Sequence, residues 1–436
     1  MMKRITAMTL AACLTLSMTA CGAGSSSASD SVSALSGGTQ QTTLRIAWWG
    51  SQVRNDGTVR VTQMYSEKNP NVTFETEFSD YGGYFEKLAT QVAGNSVPDI
   101  IQMDRNYLMQ YVNKNQLEDL TPYIESGLLD VSQIPEESLN TGKVGDGLYA
   151  LVLGVNVPCM FYDKAVVEQA GVTITNDMTE AEFLEACKTI YEKTGVKTDL
   201  DYGMDATYLN LFARGREQHL IADDGTQLGV DEATLTDFFS LYADGLAEGY
   251  LLEPEVYTEL DVNAAEQNTM VLGKSWCTIL FSNQLAAITT AAGREIGIAS
   301  VPADNITALQ YVKPSQFFSV SANSSNKEEA VKFLDWFVND NEPNEVLLGE
   351  RGVPANTEVA EHIAPMMSES DQEGIAFVNE VSANCSDIDA PPPKGMSEID
   401  SLTNELVEVV CYGTVTPEDA AAQFLQESNE ILSRNA

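Results

Sequence analysis

Between Leu44 and Met103 the hydrophobic period of the sequence switches back and forth between two and about 3.6 residues, and this alternation constrains the fold more than any other feature. LRIAWWG reads as a short buried strand. Val61, Met64 and Tyr65 then recur at helical spacing and stop before Asn69-Pro70, after which Val72, Phe74 and Phe78 alternate with Thr73, Glu75 and Glu77 as in a half-buried strand. Past Gly82-Gly83 a helix carries Tyr84, Phe85, Leu88, Ala89 and Val92 on one face and ends at Gly94; Ile100-Ile101-Gln102-Met103 is a third strand. Strand-helix-strand crossovers require parallel strands, and an open parallel sheet takes ligands beyond the carboxyl ends of its strands. Here those ends are Trp48-Trp49 and Asp104-Arg105.

The chain has 436 residues, more than one hydrophobic core usually holds, and 44% of them are hydrophobic, so two lobes are expected. Its first twenty residues are read as a secretory signal: Lys3 and Arg4 precede an apolar run from Ile5 to Ala20 that is too short and too interrupted by Thr and Ser to span a bilayer. Met18-Thr19-Ala20-Cys21 before a Gly/Ser-rich stretch resembles the lipobox of bacterial lipoproteins, which makes Cys21 the expected lipidation site. Met18 stands where Leu is usual, which leaves cleavage by the ordinary signal peptidase open. Residues 21–43 cannot form a core and form a tether spanning on the order of 25 Å.

Lys and Arg number 24 against 64 Asp and Glu, a formal charge of -40, and no basic cluster exists to hold a phosphate backbone. Nucleic acid is excluded on that ground, and self-repulsion favours a monomer. Beyond Cys13 and Cys21 the cysteines are Cys159, Cys187, Cys277, Cys385 and Cys411, with no CxxC pair, and they read as small hydrophobes with at most one or two bridges. Neither a metal nor another cofactor is expected. Asp199 to Asp205 lacks EF-hand spacing, and Gly273-Lys274-Ser275 imitates the end of a phosphate loop without its first glycine. His219 and His362 stand isolated among polar residues and read as surface side chains rather than general bases.

LRIAWWG, YFEKLATQVAGNSVPDIIQMD and NQLEDLTPYI together resemble the N-terminal half of the carbohydrate-binding extracellular solute-binding proteins of ABC importers. GLYALVLGVNVPCMFYDK, FLEACKTIYEKTG, TMVLGKSWCTILFSNQ, KPSQFFSVSANSSNKEEAVKFLDWFVND and GERGVPAN follow in the family's order, so the resemblance covers nearly the whole mature chain. It implies an α/β, two-lobe periplasmic-binding-protein-like fold (type II) with hinge crossovers and a ligand cleft between lobes. Carried onto this chain, lobe one is 44–154 plus 302–350 and lobe two is 155–301 plus 351–436. It also implies an oligosaccharide ligand, ABC permease subunits as partners, lipid anchoring on the outer face of the membrane, and no catalysis. The alternatives are a lipid-anchored carbohydrate-active enzyme, or a receptor for a non-sugar solute such as a polyamine, iron or a peptide.

A sugar site needs rings to stack on C–H faces, and carboxylates, amides and guanidinium groups for hydroxyls. Trp48 and Trp49 supply rings at a strand end, although adjacent strand residues point to opposite faces. Asp104 is a strand-end acceptor and equally a helix cap. From the family's layout come Asn156 at the crossover, Phe281, Asn283 and Gln284 in the second lobe's ligand loop, and Arg351 at the third crossover. Trp276, inside its strand, reads as core. Convergence of Arg54, Arg351 and Lys313 on one cleft would select a carboxylate-bearing, uronate-containing sugar of pectin origin; the opposing expectation is that Arg54 pairs with Asp56 or another acid.

Overall fold

The computed structural model of the protein describes residues 41–200, 206–257, 260 and 264–435. The signal segment, Cys21, most of the tether and residues 201–205 of the Asp-rich stretch lie outside the described residues. The alternating N-terminal pattern folds as its periods dictate: β1 (Thr42–Trp49), α1 (Gln52–Lys68), β2 (Val72–Ser79), α2 (Tyr81–Ala93), β3 (Ile100–Met103) and α3 (Arg105–Asn113). Each helix begins at a side-chain cap. Ser51, Asp80 and Asp104 accept the backbone N–H of Arg54, Gly83 and Asn106, satisfying donors the first turn leaves unpaired. β1 runs parallel to both β2 and β3, the arrangement that crossover helices require.

After a short hairpin of β4 (Lys143–Val144) and β5 (Gly147–Leu148), the chain enters β6 (Leu151–Asn156) and β7 (Pro158–Asp163). Val157 alone separates β6 from β7, yet the two strands belong to different sheets. β7 lies between β8 (Cys277–Phe281) and β9 (Ile296–Ala299), antiparallel to both. The chain returns through β10 (Lys313–Val320), which inserts antiparallel between β3 and β6, and β11 (Val353–Pro354) closes the other edge of β6. The larger sheet therefore has the order β11-β6-β10-β3-β1-β2.

The three-stranded sheet is apolar on both faces, and its side-chain alternation divides it between two cores. Cys159, Phe161, Leu280, Ile296 and Ile298 pack with the core of the six-stranded sheet. Met160, Cys277, Ile279 and Ala299 face a second core with Trp276, Phe238, Phe239 and Phe424, completed by the helices Glu232–Ala247, Met396–Cys411 and Pro417–Asn435. Trp276 is fully buried there, its indole N–H bonded to Thr198 Oγ1 at 2.9 Å. All five described cysteines are free, three buried and two half-buried. No described helix is long and apolar enough to cross a membrane.

At the β6–β11 pairing the two backbones approach so closely that a Cβ on Gly154 would lie 2.2 Å from the carbonyl oxygen of Arg351. Gly154→Ala is therefore expected to destabilise the fold by about 1–3 kcal/mol, the usual cost of overpacking. The check is the urea midpoint, which should fall at unchanged slope.

Candidate functional site

The strand-end tryptophans do not line the surface. Trp48 is completely buried, with its indole N–H donated to Asn55 Oδ1 at 2.9 Å, and Trp49 lies beneath Tyr81, Tyr84 and Phe85 at ring separations of 5.1–5.6 Å. The exposed rings sit one layer further out. Phe78, the last aromatic of β2, is 45% exposed and stacks tilted on Trp48 at 5.4 Å; Tyr81, the first residue of α2, is also 45% exposed and meets Trp49 edge-on. Parity explains the miss: side chains at 48 and 49 point to opposite faces of β1, and helices or neighbouring rings cover both. Phe78 is legible in the sequence only as a member of its strand, and Tyr81 only beside Tyr84 as the paired tyrosines that an iron receptor would use.

Asp104 caps α3 as expected, accepting the Asn106 N–H at 2.8 Å on one oxygen, and its other oxygen accepts the Tyr81 hydroxyl at 3.4 Å. Burial and then the Asp104 charge push the Tyr81 phenol up to about 12, so this hydroxyl remains a donor across the physiological range. Tyr81, backed by Trp49 and Phe85, and Asp104 thus make an aromatic wall with a carboxylate at the carboxyl end of β3, while Phe78 covers Trp48 on the opposite face of the sheet.

The two arginines expected in a cationic cleft are engaged within the protein. Arg54 Nε lies 2.8 Å from Glu350 Oε2, and its Nη1 donates to the Trp49 carbonyl at 3.2 Å. The pairing with an acid is realised, with Glu350 rather than Asp56. Arg351 is 4% exposed and donates to Gln102 Oε1 at 2.5 Å and Thr58 Oγ1 at 2.8 Å, with the rings of Phe318 and Phe337 at 5.2 and 5.8 Å. Burial first, and the neighbouring Arg54 second, pull its pKa down from the usual arginine value. Asn156 is buried at the end of β6, its Oδ1 without a hydrogen-bond partner. Phe281 is half-buried under Lys313, whose Nζ stands 4.0 Å from the ring centroid. Gln284 turns back to accept the Phe281 N–H at 3.1 Å, while Asn283 is exposed.

A cavity of about 740 Å³ opens beside Lys313. Its lining comes from helix Thr207–Arg214 and the loop after it, from Tyr311 and Lys313 at the start of β10, and from the irregular segment 387–393 with its three consecutive prolines. The charged lining is mostly acidic: Asp223, Asp224, Asp387, Asp389 and Asp400 against Lys313 and, when protonated, His219. Asp389 is held on both oxygens, Oδ1 by Arg214 Nη1 and His219 Nδ1, each at 2.5 Å, and Oδ2 by Asn210 Nδ2 at 2.8 Å. His219 is surface-exposed, as read from sequence, but it belongs to this wall. Arg105, the residue after Asp104, donates to the main-chain carbonyl of Asp389 at 2.6 Å and so joins the aromatic wall to the acidic cavity. Of the residues read from the sequence, Lys313 lines this cavity and Asp104 adjoins it through Arg105, while Trp48, Trp49, Arg54 and Arg351 do not contribute to its lining. Among the described residues, no group of three His, Cys, Asp or Glu side chains is arranged to hold a metal ion.

An acidic cavity and an aromatic wall stand near strand ends in an α/β frame. The chain belongs to the bacterial extracellular solute-binding proteins, whose family profile matches residues 60–372. A family 1 extracellular solute-binding protein from Alicyclobacillus acidocaldarius superposes with a TM-score of 0.84 at 28% identity, over 90% of this chain and 99% of that one. A periplasmic oligogalacturonide-binding protein from Yersinia enterocolitica gives 0.74 at 20% identity, over 90% and 100% of the two chains. The arabinooligosaccharide-binding protein of Bacillus subtilis is 26% identical over 162 residues, 36% of this chain and 37% of that one. The fold is the two-lobe periplasmic solute-binding fold, and these relatives are binding proteins.

The layered arrangement of the rings has a measurable consequence. Trp48→Ala should cost about 3–5 kcal/mol, as removal of a fully buried aromatic does, whereas Phe78→Ala should cost less than about 1 kcal/mol. Equilibrium denaturation of the two variants checks the order; equal losses would mean that Phe78 is core.

Proposed function

We propose that the protein is the substrate-binding component of an ABC importer, capturing an extracellular oligosaccharide and delivering it to permease subunits in the membrane. It acts as a monomer tethered through a lipidated Cys21. Its two lobes divide where β6 passes into β7, with β11 kept beside β6 in the first lobe rather than the second, and ligand contacts with both favour the closed arrangement that the permease reads. The observation that carries the reading is the cavity: carboxylates and the Asn210 amide surround it, Tyr311 supplies an aromatic ring, and Tyr81 stands on the wall that Arg105 connects to it. Carboxylates and amides accept from sugar hydroxyls, and exposed rings cover the C–H faces. The Bacillus relative, named for arabinooligosaccharide binding, supports the same class of ligand.

A uronate-containing oligosaccharide is the second reading, and the observation favouring it is Lys313 in the lining of the cavity. Five aspartates in the same lining favour neutral sugars. A thermal-shift screen of arabinooligosaccharides, galacturonides and neutral oligosaccharides of matched length separates the two. A ligand at a hundred times its Kd should stabilise the protein by about 2.7 kcal/mol. Tyr81→Ala should weaken binding about tenfold with little change in the sugar-free midpoint, and Lys313→Met should weaken binding only of a uronate. Release of product in proportion to protein concentration would assign the chain to the enzymes instead. For the anchor, Cys21→Ala should abolish lipid labelling and membrane retention; unchanged labelling would refute it.

A further inference from the structure

Segment 387–393 has no regular secondary structure, yet one face of it is fastened densely. Arg214, whose side chain is 1% exposed, spends almost its whole guanidinium on this segment and its approach: Nη1 on Asp389 Oδ1 at 2.5 Å, and Nη2 on Ser386 Oγ at 2.6 Å and on the Asp387 carbonyl at 2.8 Å. Its Nε goes to the Leu309 carbonyl at 3.1 Å, and its plane lies 4.8 Å from the Tyr311 ring. A planar fork bonded on several sides loses its freedom once, and thereafter holds all its partners in one geometry. With His219 and Asn210 on the Asp389 carboxylate, the segment and helix Thr207–Arg214 form one preassembled unit.

Arg105 bonds the same segment from a different element. Arg105 opens α3 at the end of β3, beside the Tyr81–Asp104 contact, and Asp389, Tyr311 and Asp104 are all near enough to act on its charge. It bonds the main-chain carbonyl of Asp389, not the carboxylate that Arg214, His219 and Asn210 already occupy. A bond to the main chain reports where the segment lies and is indifferent to which side chain stands at 389.

We propose that Arg105 is a positioning residue, a latch that holds the acidic cavity wall against the aromatic wall by bonding the Asp389 carbonyl. The assignment rests on the cleft reading above. Its action is on closure: a sugar lying between the walls leaves only when this bond opens, so the latch sets residence time more than encounter. Lysine at this position keeps the charge but loses the fork, and should restore the latch only in part.

The test compares wild type, Arg105→Ala and Arg105→Lys by small-angle scattering without sugar, and by stopped-flow release of arabinotriose and of digalacturonic acid. Arg105→Ala should enlarge the radius of gyration, raise the release rate of whichever sugar binds about tenfold, and leave the thermal midpoint of the sugar-free protein unchanged. Arg105→Lys should fall between. Asp389→Asn, which strips the counter-charge from buried Arg214 but keeps the carbonyl, should lower the thermal midpoint instead. An unchanged radius of gyration in Arg105→Ala, together with an unchanged release rate, overturns the latch. Should neither sugar bind, the oligosaccharide reading loses its support and the scattering comparison alone decides the latch: enlargement upholds it, identity with wild type overturns it.

Discussion

A guanidinium taken out of water has to be met by acceptors from the protein, and at Arg351 that requirement ties distant parts of the chain to one point. Its two terminal nitrogens reach Gln102 on β3 and Thr58 on α1, and the Gln102 amide in turn donates to the Trp49 carbonyl at 3.1 Å. The Arg351 carbonyl accepts from Gln316 on β10 at 2.8 Å. The immediately following strand, β11, pairs with β6 only one residue before the chain crosses to the smaller sheet. The ends of β1 and β3, where the aromatic wall begins, are therefore fixed by the same residue that fixes the return of the chain through the larger sheet. The largely polar inner face of α1 follows from this demand: Asn55 serves Trp48 and Thr58 serves Arg351, so a helix with little apolar amphipathicity is nonetheless held tightly.

Much of this frame is legible in the sequence because it is local. The first three strands and the two helices between them follow from period alone, and the third helix is announced by Asp104 as its cap. What resists reading is contact across long separations. Nothing near Arg54 names Glu350 as its partner, 296 residues away, and nothing in LRIAWWG says which rings will cover Trp48 and Trp49. The acidic cavity is less legible still. Its walls come from a loop around His219 and a proline-rich segment near Asp389, neither of which has a period, and they meet at the Asp389 carboxylate, which His219, Asn210 and Arg214 share. A histidine isolated among polar residues in sequence is, in space, 2.5 Å from a shared carboxylate.

The excess of acid in the chain changes what a basic residue signifies. With 64 carboxylates for 24 Lys and Arg, a cation near a functional region meets a protein acid before it meets a ligand, as Arg54 does at Glu350 and Arg214 at Asp389. Counting arginines close to strand ends consequently overstates the affinity of a cleft for anions. The carboxylates are the better guide, because those lining the cavity outnumber the cations there and retain acceptor capacity for hydroxyl donors.

Neither wall is sufficient alone. Tyr81 offers a ring with one carboxylate at Asp104, so a sugar resting there would bury its C–H face and leave most hydroxyls in water. The aspartate-lined cavity has the opposite composition, and a hydroxylated ligand entering it exchanges water for carboxylate at modest net gain while the site is open. Bringing the walls together removes that water, which strengthens each hydrogen bond to a carboxylate and completes the burial of the ring faces at the same time. The two halves of the site therefore reinforce one another only when closed. That dependence is why a bond such as Arg105 to the Asp389 carbonyl, made between elements rather than to a ligand, bears directly on affinity.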